Sequence, residues 1–221
     1  MSEWWTYRLS DFLLFSPRTY YRLFELYNAA IWPAQIAAVL AGLAILALLC
    51  RPGPWQGRIA AAILAACWLW VAWAYLFKRY ATINWVASYV AAAFALEALL
   101  LVAVGAIGGR LTSGAKYSLA GSVGIALLVF ALVVQPLVGP LTGRAWSEVE
   151  LFGIAPDPTI VATLGLPLAA DRVRWELLII PLLWCVIGGA TLWAMEAPDA
   201  WIMPSAAVIA VGAAMWKARA R

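Results

Sequence analysis

Histidine is missing from all 221 residues. Its absence removes His-ligated haem, most zinc chemistry and every Ser–His or Cys–His catalytic pair. Cysteine is scarce. Cys50, Cys67 and Cys185 stand apart, with no Cys-x-x-Cys spacing for a redox motif or a metal clip. All three lie within or at the ends of apolar runs, where cysteine acts as a small hydrophobe. Charge is scarce as well: 12% of residues are charged, against about 25% in an average soluble domain. Hydrophobic residues make up 66%. A soluble domain of that balance would lack the polar residues to cover its surface, whereas lipid solvates the excess. No Lys/Arg patch with interleaved polar residues occurs, so the net charge of +4 does not point to nucleic acid. No cofactor or metal is expected. The first long apolar run begins near Ile31, behind an aromatic and charged segment, which is too late for a cleavable signal peptide.

What is present is a series of apolar runs, roughly 31–49, 59–77, 85–107, 119–138, 177–195 and 201–216. Most approach the roughly 20 residues that cross a hydrocarbon core of about 30 Å. In lipid the backbone must satisfy its own hydrogen bonds, so the runs are expected as helices. Arg51-Pro52-Gly53-Pro54, Lys78-Arg79, Gly108-Gly109-Arg110, Gly139-Pro140 and Ala197-Pro198-Asp199 punctuate them. Such short links imply antiparallel neighbours. Tryptophans 4, 5, 32, 55, 85, 146, 175, 201 and 216 cluster near the expected helix ends, as in an interfacial belt. Trp68, Trp70 and Trp73 sit deeper and are expected to pack.

Two segments are special. Ser16 can cap a helix that starts at Pro17, and Tyr20, Phe24, Tyr27 and Ile31 then form one aromatic face, with Arg18, Arg22 and Glu25 on another. This predicts an amphipathic helix at the interface or leading into the first span. The segment 151–169 is apolar but broken by Pro156, Pro158, Gly165 and Pro167. With Asp157 as cap and Gly165 as stop, it predicts a helix of about nine residues, about 13 Å long, which is half a membrane. A re-entrant or interfacial position follows. Without that segment as a crossing, six spans with both termini inside place eleven Lys/Arg (8, 18, 22, 78, 79, 144, 172, 174, 217, 219, 221) in the cytoplasm and four (51, 58, 110, 116) outside. Seven spans would divide them nine against six. The positive-inside rule prefers six.

The stretch Ser10-Asp11-Phe12-Leu13-Leu14-Phe15-Ser16-Pro17, continuing through Tyr20-Tyr21-Arg22 to Glu25 and Asn28, resembles the opening of a family of uncharacterised bacterial membrane proteins known only as a domain of unknown function. Phe152-Gly153-Ile154-Ala155-Pro156-Asp157-Pro158-Thr159, leading to Leu164-Gly165-Leu166, is similar to that family's Pro-x-Pro-Thr turn. The resemblance leads one to expect cysteine between those prolines, so Asp157 is a departure that removes any thiol role. It implies a small multi-helix protein of a bacterial cytoplasmic membrane and carries no activity with it.

The fold expected is therefore an all-α polytopic transmembrane bundle of six spans, an interfacial amphipathic helix and a short half-membrane helix. Glu97 is the sharpest candidate residue, since a mid-membrane carboxylate costs about 2.5–3.5 kcal/mol on insertion scales. It reads as a proton or cation site, or as a structural acid bonded to Ser88, Ser122, Gln135, Gln35 or a backbone carbonyl. Pro156, Asp157, Pro158 and Thr159 form a second candidate, a half-helix start able to hold a cation. Asp11, Arg18, Arg22 and Glu25 form a third, a gate or partner surface. The leading expectation is a small transporter or channel-like protein for an ion or small solute. The alternative is a non-catalytic accessory subunit. An enzyme is not expected, as no nucleophile motif and no paired mid-membrane carboxylates occur. The partners expected are the lipid bilayer and a further copy or a membrane subunit.

Overall fold

The computed structural model describes residues 11–220 apart from 12, 52, 54 and 113–117. The chain is all-helical, with no strand among the described residues. Helix α1 (Pro17–Ala30) is followed by α2 (Ala34–Leu49), and the two meet at 93°. Helix α3 (Gln56–Trp70) continues as a π-helical stretch, Val71–Phe77, and α4 (Ala87–Leu100) continues as another, Leu101–Ile107. Helix α5 (Leu119–Val129) passes through the π-helical Phe130–Val134 into α6 (Gln135–Leu141). Then come α7 (Pro156–Ala169), α8 (Ile179–Ala194) and α9 (Ile202–Arg219). Four helical stretches, Gln56–Thr82, Ala87–Ile107, Leu119–Leu141 and Trp175–Ala194, are long and apolar enough to cross a membrane, and the bent α1–α2 pair makes a fifth if counted as one span.

The expected start of α1 is present. The Ser16 hydroxyl accepts from Thr19 N at 3.2 Å, and Pro17 opens the helix. Its aromatic face does not turn outward. Tyr20, Phe24 and Tyr27 are buried, with Phe24 stacked on Tyr75 (4.8 Å between centroids) and Tyr20 edge-on to Tyr80 (5.9 Å). Tyr27 Oη donates to Ile154 O (3.1 Å), and Asn28 Nδ2 donates to Ser147 O and Val149 O (2.9 Å each). The aromatic face of α1 thus packs on Tyr75 and Tyr80, at and just after the end of the α3 stretch, and Tyr27 and Asn28 hold the 147–154 loop at this end of the bundle, the α1 face.

Helix α7 departs most from expectation. It is 14 residues long, about 21 Å at 1.5 Å per residue, and every one of its residues is buried. Gly165 does not stop it. A Cβ on Gly165 would lie 2.3 Å from Gly124 O, and one on Gly124 would lie 2.4 Å from Gly165 O. The two glycines let α5 and α7 touch backbone to backbone, as small residues do where helices associate in lipid. Asp157 is not the cap; Ala155 holds that position and Asp157 lies in the first turn. Pro167 is tolerated inside α7 because protein, not lipid, surrounds its backbone. The helix is central in the bundle.

Helix α7 also runs the same way as α9. Its start lies beside Asp199, just before α9, and its end is held by Lys217, whose Nζ donates to Leu168 O (2.8 Å) and to Ala170 O. At that far face Asp171 N donates to Thr112 O (2.8 Å) and Arg174 Nε to Arg110 O (3.3 Å). Helix α7 thus runs from the α1 end of the bundle to the end that holds Thr112 and Lys217.

Tryptophans 32, 55, 85, 146, 175, 201 and 216 are exposed at helix ends; Trp4 and Trp5 lie outside the described residues. Of the deeper three, Trp68 alone packs inside. Trp70 and Trp73 are 42% and 59% exposed, so they face outward rather than into the core.

Candidate functional site

The polar chemistry of this chain collects where α7 begins. Gln135, Pro136 and Gly139 of α6, Arg144 and Glu150 of the following loop, Asp157 of α7, Leu192 of α8, and Asp199 and Ile202 at the start of α9 enclose a cavity of about 20 Å³. A space of roughly 10–15 Å³ or more holds one water-sized group. Gln135 lies six residues before Leu141, the end of α6, so the cavity is recessed about 9 Å from that end of the helix. The π-helical turn Phe130–Val134 directly precedes Gln135 and resets the face that α6 presents.

Three carboxyl groups meet one guanidinium here. Arg144 Nη1 reaches Glu150 Oε1 at 3.4 Å, and Nη2 makes a very short bond to Asp199 Oδ2. The Arg144 side chain is 15% exposed, Glu150 10% and Asp199 8%, so the ion pairs are largely removed from solvent. The guanidinium also lies over the Tyr21 ring, 4.8 Å from its centroid, which ties α1 to the cluster. Asp157 Oδ1 accepts from Trp184 Nε1 at 2.7 Å. Gly188 leaves room for that pair, since a Cβ there would meet Trp184 Nε1 at 3.0 Å and Asp157 Oδ1 at 3.4 Å. Trp184 in turn stands edge-on to Phe94 (5.3 Å), which leans on Trp68 (4.4 Å), whose Nε1 donates to Thr163 Oγ1 (2.8 Å). An aromatic wall thus fixes two hydroxyl- or carboxyl-bearing positions of α7.

Desolvation, worsened by Asp157 and relieved by Arg144, pushes the Glu150 carboxyl up to about 8. Three acceptor oxygens at the cavity, Gln135 Oε1, Glu150 Oε2 and Asp199 Oδ1, have no hydrogen-bond partner, nor does one donor, Arg144 Nε. Buried polar atoms are almost always partnered, and a space of this size beside four such atoms fits one water or a group of similar size.

The residues expected from sequence scatter differently. Asp157 joins the cavity, but its neighbours serve the backbone. Thr159 Oγ1 donates to Ala155 O (2.6 Å) and accepts from Gly153 N (2.8 Å), which pins the turn before α7. Pro156 and Pro158 are buried in the first turn and shape it. Glu97 is fully buried on α4 but does not line the cavity, and both its oxygens lack partners. None of Ser88, Ser122, Gln135 and Gln35 supplies the bond expected for it; Gln35 Nε2 donates to Asn28 O instead (2.7 Å). Arg18, Arg22 and Glu25 line an open groove of about 810 Å³ with Thr82, Ile83 and Glu148. Arg22 and Glu25 pair at 2.5 Å across one helical turn, the ordinary solvated arrangement. Asp11 is exposed and outside that groove, while Ser10 and Phe12 lie outside the described residues.

Arg144, Glu150, Asp199, Gln135 and Trp184 are the site residues that sequence reasoning passed over. The available signal was scarcity. Only 11 acidic residues exist in the chain, and Glu150 and Asp199 stand at links between apolar runs.

The stretch that includes Tyr20-Tyr21-Arg22 and the Pro-Asp-Pro-Thr turn supplies Tyr21 over Arg144 and Asp157 in the cavity. The same stretches fall inside residues 18–221, which match the family of unknown function DUF6064. The chain belongs to that family. The DUF6064 match runs from Arg18 in the first turn of α1 through α9, so the Ser-Asp-Phe-Leu opening precedes it. Comparison with curated proteins and with solved structures gives no match. For this DUF6064 chain, function rests on the cavity itself.

Proposed function

We propose that this protein is a multi-pass protein of the bacterial cytoplasmic membrane that moves an ion or small solute, with Arg144, Glu150, Asp157 and Asp199 as its ion-handling group. The single observation that carries this is the buried cavity in which three carboxyl groups outnumber one guanidinium and three acceptor oxygens stand unpartnered. Ionisable groups inside a membrane bundle are expensive and mark pathways and relays. The start of α7 also resembles the half-helix ends that coordinate ions in transporters. Glu97 carries less of the reading, because no polar neighbour connects it to the cavity.

Counting α2, α3, α4, α5–α6, α7, α8 and α9 as one pass each gives this proposal seven passes. The far face then carries Arg51, Arg58, Arg110, Lys116, Arg172, Arg174, Lys217, Arg219 and Arg221, nine cations against six at the α1 face. The positive-inside rule puts the far face in the cytoplasm and the α1 face outside.

The test is flux into proteoliposomes, read with a pH-sensitive dye and with a panel of monovalent cations. The wild type is expected to move at least one ion, and Glu150→Gln and Asp199→Asn, if folded, to lose that flux. Mutant flux equal to wild type would sink the assignment. A second reading, a non-catalytic subunit of a membrane complex, draws on the enclosure of the cavity, about one water in size. Co-purification with a fixed partner and no flux by the isolated chain would favour it.

A further inference from the structure

Beside the polar cavity lies a much larger apolar groove. Val123, Ala126 and Leu127 of α5, with Phe130 just after it, face Trp201 just before α9 and Ile202, Ser205, Ala206 and Ile209 of α9 across about 470 Å³. The lining side chains are apolar except for the Ser205 hydroxyl and the Trp201 indole N–H. Ile202 lines both spaces, so the groove ends against the wall of the acidic cavity. One side of that wall is apolar and open to the surroundings. The other holds three buried carboxyl groups, and Glu150 and Asp199, each nine-tenths buried, have an oxygen with no partner.

We propose that the two spaces together bind a membrane-soluble primary amine, with its alkyl chain in the α5–α9 groove and its ammonium head among Gln135, Glu150 and Asp199. The match is one of donor number as well as charge. An alkylammonium carries three N–H donors, and the cavity offers three unpartnered acceptors, Gln135 Oε1, Glu150 Oε2 and Asp199 Oδ1. The head faces Asp157 and Asp199, joined by Glu150 where it is ionised, against Arg144, an excess of carboxylate. The cavity is the size of one small head group, and a tail that stayed in lipid would need the kind of apolar path the groove provides. Ile202 stands between them and must swing aside for the head to enter. This inference rests on the cavity assigned above and names its ligand class.

The experiment is saturation binding of labelled decylamine to the full chain in phosphatidylcholine nanodiscs, with empty nanodiscs as background. Competitors are decyltrimethylammonium, which has the same charge and no N–H donor, and ammonium chloride, which has the donors and no tail. Decylamine is expected to bind saturably and at least about tenfold more tightly than either competitor, the difference that charge-assisted hydrogen bonds produce. Glu150→Gln should weaken it, and so should Ser205→Phe, which fills the lipid-facing groove without touching the charged cluster. Equal affinity for the quaternary amine would overturn the hydrogen-bonding head site. Ammonium binding as tight as decylamine, insensitive to Ser205→Phe, would overturn the amphiphile and leave an ion site. No saturable binding by folded wild type would overturn the proposal outright. Amine binding without any ion flux would instead remove the transport reading and leave this one standing.

Discussion

Replacing Arg144 by Gln tests the electrostatics of the cluster most directly. The substitution keeps a polar side chain but removes the only positive charge among the residues lining the cavity, leaving Glu150 Oε1 and Asp199 Oδ2 without their partner. Removing one member of a buried ion pair costs about 3–5 kcal/mol, because the remaining charge is stranded away from water. An exposed pair would cost only about 0–1 kcal/mol. With side chains 15%, 10% and 8% exposed, the buried figure applies. The double variant Arg144→Gln with Asp199→Asn should recover part of the loss, since the neutral amide no longer strands a charge there. Stability is measured by reversible denaturant unfolding in detergent micelles, at pH 5 and pH 8. The loss should be larger at pH 8, where the carboxyl groups are more fully ionised. A loss under about 1 kcal/mol at both pH values, with no rescue in the double variant, would refute the buried-pair account.

Three further outcomes are expected. The Glu150 carboxyl is raised from 4.5 to about 8 in the fold, so the folded state holds a proton that the unfolded state releases. Its contribution to stability is therefore full below about pH 4.5 and lost as pH rises through about 8, with Arg144, Asp157 and Asp199 as the charges it faces. A pH series of unfolding midpoints should fall over that window and flatten in Glu150→Gln; an unchanged slope in the variant would contradict the assignment. Gly165→Ala places a methyl group 2.3 Å from Gly124 O and should cost about 1–3 kcal/mol or more through overpacking, measured by the same unfolding assay, whereas a neutral result would mean that α5 and α7 do not touch as described. Glu97→Leu should be neutral or stabilising, since it removes two unpartnered buried oxygens from the core of α4, and a clear destabilisation would reveal a hidden polar partner.

Much of the helix pattern was legible in the chain. The apolar runs 85–107 and 177–195 became Ala87–Ile107 and Trp175–Ala194 almost unchanged, because hydrophobic length needs no tertiary information. The Ser16-Pro17 start was equally plain, since a cap and its proline act within one turn. Membership in DUF6064 was also legible, as a resemblance carried by local motifs.

The tertiary structure decided the rest, for one physical reason. In a chain two-thirds hydrophobic, apolar side chains do not show which helix lies inside. Helix α7 looked broken because Gly165, Pro156, Pro158 and Pro167 are poor helix formers in isolation, yet complete enclosure lets them serve a central helix and a glycine-to-glycine contact with α5. Glu97 was conspicuous by its neighbours in sequence but proved solitary in space. Arg144, Glu150 and Asp199 looked like loop charges until the ends of α6, α7 and α9 brought them to one cavity. Local propensity and apolar length set the helices; long-range packing alone chose which charges face one another.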